Sequence, residues 1–128
     1  MKSKDGKKAD IQSRSFGFAL GILDLYKFMK KCNAKILANQ VLRSGTSIGA
    51  NVEEAQAAQS KKDFIAKISI ASKEARETRY WLRLLSQSGY LDSYEDGKSL
   101  SLEVEEIIRM LTSIVKTAKE KLSGEKRP

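Results

Sequence analysis

The stretch GTSIG, residues 45 to 49, is a literal G-x-S-x-G, the pattern that sets a nucleophilic serine on a strained strand-to-helix turn in α/β-hydrolases. Ser47 would be that nucleophile, and it would need a general base. The chain contains no histidine. This excludes a Ser-His-Asp triad, a Cys-His pair, an H-E-x-x-H zinc site and the Glu-x-x-His di-iron pattern of some helix bundles. No lysine falls within ten residues of Ser47 on either side. The residues before it, AKILANQVLRS, put Leu37, Val41, Ser44 and Ile48 on one helical face, so there is no strand to carry the elbow. The match is an accident of two small residues four apart, and no catalytic residue is assigned. The carboxylates Asp92, Glu95, Asp96, Glu103, Glu105 and Glu106 form the other candidate cluster. They are expected near the start of the last helix, facing solvent and complementing its dipole, with no metal or cofactor assigned.

A second chemistry is phosphate binding. At 100° per residue, Lys62, Ser69, Ser72, Lys73, Arg79, Tyr80 and Arg83 all lie within about 60° of Arg76. No acidic residue shares the arc. Lys62, Lys73, Arg76, Arg79 and Arg83 could track a phosphate backbone, with Tyr80 stacking on a base. The alternative is an ordinary solvated helix face, with glutamates of neighbouring helices nearby. The net charge of +8 decides less than its distribution. Residues 1–14 carry five Lys/Arg and two Asp, and residues 116–128 carry five Lys/Arg and two Glu. The long middle is close to balanced, so much of the basic excess is assigned to the two ends.

The helix through Ser47 has three sides. Gln40, Arg43, Asn51 and Glu54 fall within about 40° of Ser47, forming a polar stripe. Leu37, Val41, Ser44, Ile48, Val52 and Ala55 form an apolar face. Ala38, Gly45 and Gly49 form a strip without bulk. Each interior glycine costs about 1 kcal/mol against alanine, so two of them imply that another backbone comes close. That backbone belongs either to a neighbouring helix of the same chain or to another subunit, and the geometry favours the first. The stripe Arg43–Ser47–Asn51–Glu54 reads either as a solvated face or as a satisfied polar cluster at a subunit interface. Trp81, Leu84 and Ile70 make a separate apolar strip on the next helix, for core or subunit contact.

These surfaces need a scaffold. With 128 residues, 41% apolar and 31% charged, and a single proline at the C-terminus, the composition is that of one soluble helical domain. Four helices are predicted: Ser15 to Lys31, Ala34 to Gln59, Ser60 to Ser88, and a fourth from Asp92/Ser93 or Ser99 to Leu122. Asn33 and Gly89 are the expected breaks, and Ser60 with Asp63 resembles a capping box. The first helix shows two apolar stripes, Phe16–Leu20–Leu23 and Phe18–Ile22–Leu25–Met29. The third and fourth carry heptad-like series, Phe64 to Leu85 and Val104 to Leu122, spaced alternately by four and three. That period specifies left-handed packing, hence an all-α, up-down-up-down four-helix bundle over residues 15–122. Flexible basic tails are expected at 1–14 and 123–128. No apolar run reaches the roughly 18 residues of a membrane span, and MKSKDGKKADIQSR lacks the apolar core of a signal peptide. Cys32 is the only cysteine, so a reducing, cytoplasmic location is expected, with no membrane partner.

The stretches LRSGTSIGANVEEA and KKDFIAKISIASKEARETRYWLRLLSQSGYL resemble the bacterial four-helix bundle proteins named for reading frames in intervening sequences of 23S ribosomal RNA genes. Leu42, Arg43, Ser47, Ile48, Asn51, Glu54, Asp63, Phe64, Ile70, Ala71, Glu77, Trp81 and Leu82 match that family's pattern. Glu53 and Ala55 depart from it, standing where Ala and Gly are usual. The resemblance covers about residues 16–118. It implies a four-helix bundle assembling into a ring-like homo-oligomer, a pentamer, with no enzymatic activity. Distant relatives with the same fold are accessory proteins of diversity-generating retroelements, which work with a reverse transcriptase and nucleic acid. The expectation is a self-associating accessory protein that binds RNA or DNA and takes no small-molecule substrate. The alternative is an oligomeric protein-interaction scaffold.

Overall fold

One asparagine and one glycine separate the first helix from the second and the third from the fourth. Asn33 adopts φ 60° and Gly89 φ 91°, the left-handed region. Around each, the helix end closes in the same way. The amide of Ala34 donates to Met29 O at 3.1 Å and that of Asn33 to Lys30 O at 3.2 Å. The amides of Tyr90 and Gly89 donate to Leu85 O and Ser86 O at 3.1 and 3.3 Å. These paired bonds satisfy carbonyls that a helix end otherwise leaves open.

The computed structural model describes residues 10–125, and these form four helices with no strand among them. α1 spans Ile11–Lys31, α2 Lys35–Gln56, α3 Lys61–Gln87 and α4 Gly97–Glu125. Sequential helices pack together and α4 closes on α1, giving the antiparallel four-helix bundle. The core sits where the 3.5-residue period puts it. Ile68, Ala71, Ala75, Thr78, Leu82 and Leu85 of α3 are buried, as are Val104, Ile108 and Leu111 of α4. Phe64, Val115, Ala118 and Leu122, at the outer ends of the two series, are only half-buried. In α1 the stripes separate cleanly. Phe18, Ile22, Leu25 and Met29 are buried, whereas Phe16, Leu20 and Leu23 are 65%, 52% and 40% exposed.

Several boundaries differ from those expected. α1 starts at Ile11, so residues 11–14 belong to the bundle and not to a tail. Asp10 Oδ1 accepts from the Ser13 amide at 2.9 Å and caps the helix, and Ile11 is buried. At the far end α4 continues through Ser123 and Gly124 to Glu125. The expected tails at 1–9 and 126–128 lie outside the described residues. α2 ends at Gln56, not Gln59, because Ser60 must be extended (φ −154°) to cap α3. Its Oγ accepts from the Asp63 amide at 3.0 Å, while Asp63 Oδ2 reaches the Gln59 amide at 3.4 Å. α4 begins at Gly97, so Asp92, Glu95 and Asp96 lie in the preceding turn and not in the helix's first turn. Cys32 is the exposed C-cap of α1.

The glycine strip of α2 faces α1 of the same chain. A Cβ on Gly45 would stand 2.8 Å from Ile22 Cγ1, and one on Gly49 would stand 3.4 Å from the Ser15 carbonyl oxygen. Ile22 is wholly buried and branched at Cβ, so it has no free rotamer to retreat into. Gly17 is the contrasting case, with no atom within 4 Å of its would-be Cβ. Gly17→Ala is expected to raise stability by up to about 1 kcal/mol through helix propensity alone. Gly45→Ala gains the same propensity but overpacks the core by about 1–3 kcal/mol, so a net loss is expected. Urea denaturation of the two variants checks both signs.

Candidate nucleic-acid interface

α3 carries the basic face because its opposite side is consumed by the core. Lys62, Lys73, Arg76 and Arg83 are exposed, Arg79 is half-buried, and Tyr80 is 50% exposed. From Lys62 to Arg83 the face runs about 32 Å along the helix. Arg79 Nη1 pairs with Glu105 Oε1 of α4 at 3.0 Å, and Arg76 Nη2 donates to the Thr112 hydroxyl at 3.3 Å. Among the described residues, Lys62, Lys73 and Arg83 make no ion pair or hydrogen bond through their side chains. One of five cations is therefore neutralised by a carboxylate, and the face retains most of its charge.

The structure brings Arg76, Arg79, Tyr80 and Arg83 together along a groove of about 540 Å³ between α3 and α4, whereas Lys62 and Lys73 lie on the same face nearer the start of α3. The groove also takes in Leu82 and Val104 below, and Ser86, Gln87, Ser101 and Glu105 along its sides. The α4 residues were not legible as a site in the sequence, because the relative rotation of two helices is set by their packing. Tyr80 lies edge-on to Trp81, with ring centroids 5.1 Å apart.

The motif residues of α2 are occupied within the chain. Arg43 pairs with Glu74 at 3.3 Å and also with Glu77. Glu54 pairs with Lys67 at 3.3 Å. Ser47 Oγ donates to the Arg43 carbonyl at 2.6 Å, and Asn51 Nδ2 donates to the Ser47 carbonyl at 2.9 Å. Ser47 thus makes a local backbone bond of the kind common to helical serines. Trp81 packs against the core with its Nε1 donating to Glu77 Oε2 at 2.9 Å, leaving Ile70 and Leu84 as the exposed part of its strip. Sequence reasoning also missed a buried bond: Thr78 Oγ1 donates to Ser44 Oγ at 2.9 Å, and neither residue has any exposure. Both were read as small members of apolar faces, and only pairing of the two faces joins the hydroxyls. The carboxylates of α4 serve as ion-pair partners. Glu103 holds Arg14 at 2.8 Å, Glu105 holds Arg79, and Glu106 holds Arg109 at 3.2 Å. No group of three or more potential metal ligands occurs among the described residues. No helix among them is long and apolar enough to cross a membrane.

A family model of the 23S rRNA-intervening sequence protein matches residues 7–113. The chain belongs to that family. A solved structure of a protein of unknown function from the S23 ribosomal protein family of Bacteroides thetaiotaomicron is 46% identical, with a TM-score of 0.79. The match covers 83% of this chain and 98% of that one. Comparison with curated proteins gives no match. Family membership accounts for the Leu42–Arg43 and Asp63–Phe64 motifs. The bonds above give the motif a structural meaning: Arg43 ties α2 to α3, and Asp63 shapes the turn between them.

Glu77 sits at the centre of this tie. The indole N–H of Trp81, and then the guanidinium of Arg43, hold its carboxyl below the usual value of 4.5 against the opposing effect of burial. A carboxyl with a depressed folded-state pKa stabilises the fold above its unfolded value, and that contribution is lost as pH falls through the folded one. Acidification below pH 4.5 is therefore expected to shift the emission of Trp81, the only tryptophan. The shift should be absent over the same range in Glu77→Gln. A fluorescence titration of both proteins provides the check, and identical curves would remove Glu77 as the source.

Proposed function

We propose that the protein is a non-enzymatic, self-associating bundle that binds RNA or DNA through the basic face of α3, as an accessory factor. The observation that carries this reading is the unpaired state of Lys62, Lys73 and Arg83 on one side of a single helix. Glu105 is the one acid of a neighbouring helix that pairs with this face, at Arg79, so its other four cations are left to meet an approaching phosphate backbone. Phe16, Leu20 and Leu23 support self-association. They stand four and three residues apart on the outside of α1, the spacing by which one helix seats another. A homopentameric ring, as the family resemblance implies, would present the α3 face five times and sum its field. A nucleic-acid enzyme such as a reverse transcriptase is the class of partner that such an accessory protein would serve. The exposed Ile70, Leu84 and Tyr80 favour a second reading, an oligomeric protein-interaction scaffold that touches no nucleic acid.

Fluorescence anisotropy across a salt series separates the two readings. Combined Arg76→Glu and Arg83→Glu changes are expected to weaken binding at least about tenfold and to flatten the log–log salt slope by about two. Replacing Lys2, Lys4, Lys7 and Lys8 with Gln should cost less. If the loss follows the N-terminal lysines alone, or if no nucleic acid binds at low salt, the scaffold reading stands.

Light scattering tests assembly separately. Leu20→Glu is expected to lower the measured mass from an oligomer towards the 14.3 kDa protomer. A parent protein of protomer mass would end the self-association reading.

A further inference from the structure

The α3–α4 groove has a distribution of polarity that a flat electrostatic surface does not need. Its base is apolar, formed by the buried Leu82 and Val104. One wall is the Arg79–Glu105 ion pair, which carries no net charge and presents both donors and carboxylate oxygens. Ser86, Gln87 and Ser101 add neutral hydrogen-bonding groups. The free positive charge along the groove is that of Arg76 and Arg83. Arg83 has no partner there, and Arg76 is engaged only by the Thr112 hydroxyl. Tyr80 lines the groove with half its surface open.

A nucleotide has the complementary arrangement: a flat, weakly polar base and a charged phosphate at the other end. The groove's volume of about 540 Å³ falls within the roughly 300–1,000 Å³ of small-ligand clefts. Bases in a duplex are paired and stacked, so they cannot enter a cleft between two helices. Bases of loops and single strands can be splayed out, stacked on aromatic rings and bonded along their edges.

We infer that the α3–α4 groove takes a single unstacked nucleotide from a single-stranded RNA or DNA segment, with the base against Tyr80 and its phosphate at Arg76 and Arg83. Lys73 and Lys62 then hold successive phosphates further along α3. The inference rests on the nucleic-acid reading above and adds a preference to it: single strand over duplex. The carboxylate of Glu105 suits a base, since it can accept from a base amino group.

The test uses the full-length protein, a single-stranded RNA and a hairpin duplex of equal length, at one fixed salt concentration. The parent is expected to bind the single strand more tightly. Tyr80→Ala is expected to weaken single-strand binding about tenfold, the usual worth of one stacked base, and to change duplex binding less than twofold. Tyr80→Phe keeps the ring and should restore the parent value. Because Tyr80 is half exposed, these variants should fold, and circular dichroism verifies it. Equal binding of the two forms, or a Tyr80→Ala effect that is absent or the same for both, overturns the groove. In that event the Arg76/Arg83 reversal on the duplex still judges the broader reading. Failure of the parent to bind either form overturns both.

Discussion

Helix α2 lies where it does because its two sides make incompatible demands that small residues meet. Towards α1, Gly45 leaves room for the wholly buried Ile22, and Gly49 lets the Ser15 backbone approach. Towards α3, Ser44 offers a hydroxyl that Thr78 meets inside the core. A side chain at position 45 would push Ile22 away, and a one-residue slip would separate the paired hydroxyls of Ser44 and Thr78. This double constraint fixes the register of three helices. Arg43 then reaches Glu74 and Glu77, and Glu77 reaches Trp81. Once α3 is turned to satisfy those bonds, its remaining side presents Arg76, Tyr80 and Arg83 outward.

The basic face follows from how carboxylates are distributed among the seams. Glu54, Glu74 and Glu77 serve the α2–α3 seam, Glu105 the α3–α4 seam and Glu103 the α1–α4 seam. Among these acids, Glu105 is the one that pairs with a cation of the basic α3 face, whereas Glu54 pairs with Lys67 on the α2 side. A chain of identical composition with its glutamates shifted by one turn would have the same net charge and no such face. Charge placement relative to helix rotation matters more here than the isoelectric point.

The fold and the breaks between helices were legible because they depend on local rules. Alternating four- and three-residue spacing identified the buried series of α3, and Asn33, Ser60 and Gly89 marked ends that their backbone conformations explain. The start of α1 was missed because the local cap of Asp10 on Ser13 lies just after a run of lysines, and the Arg14–Glu103 pair depends on tertiary closure. The two stripes of α1 were visible, but not which faced inward, since both have apolar residues at helical spacing. For the candidate site, the α3 residues could be placed on one arc from periodicity alone. Their α4 neighbours Ser101, Val104 and Glu105 could not, because no local rule links residues that meet only across a helix–helix seam.

The seam between α1 and α4 differs from the other three. It joins the first helix to the last, and the two touch less extensively than any other neighbouring pair. Gly17 and Gly21 lie beside Asp24, Tyr94 and Asp96 along an open cleft of about 420 Å³. The remaining seams join helices adjacent in sequence, so their loops close at little entropic cost. Closure of α4 onto α1 is the one long-range step in the topology, and it gains the least contact. In kinetic terms this makes a three-hairpin ladder with a weak latch, whose edges exchange amide protons before its centre does.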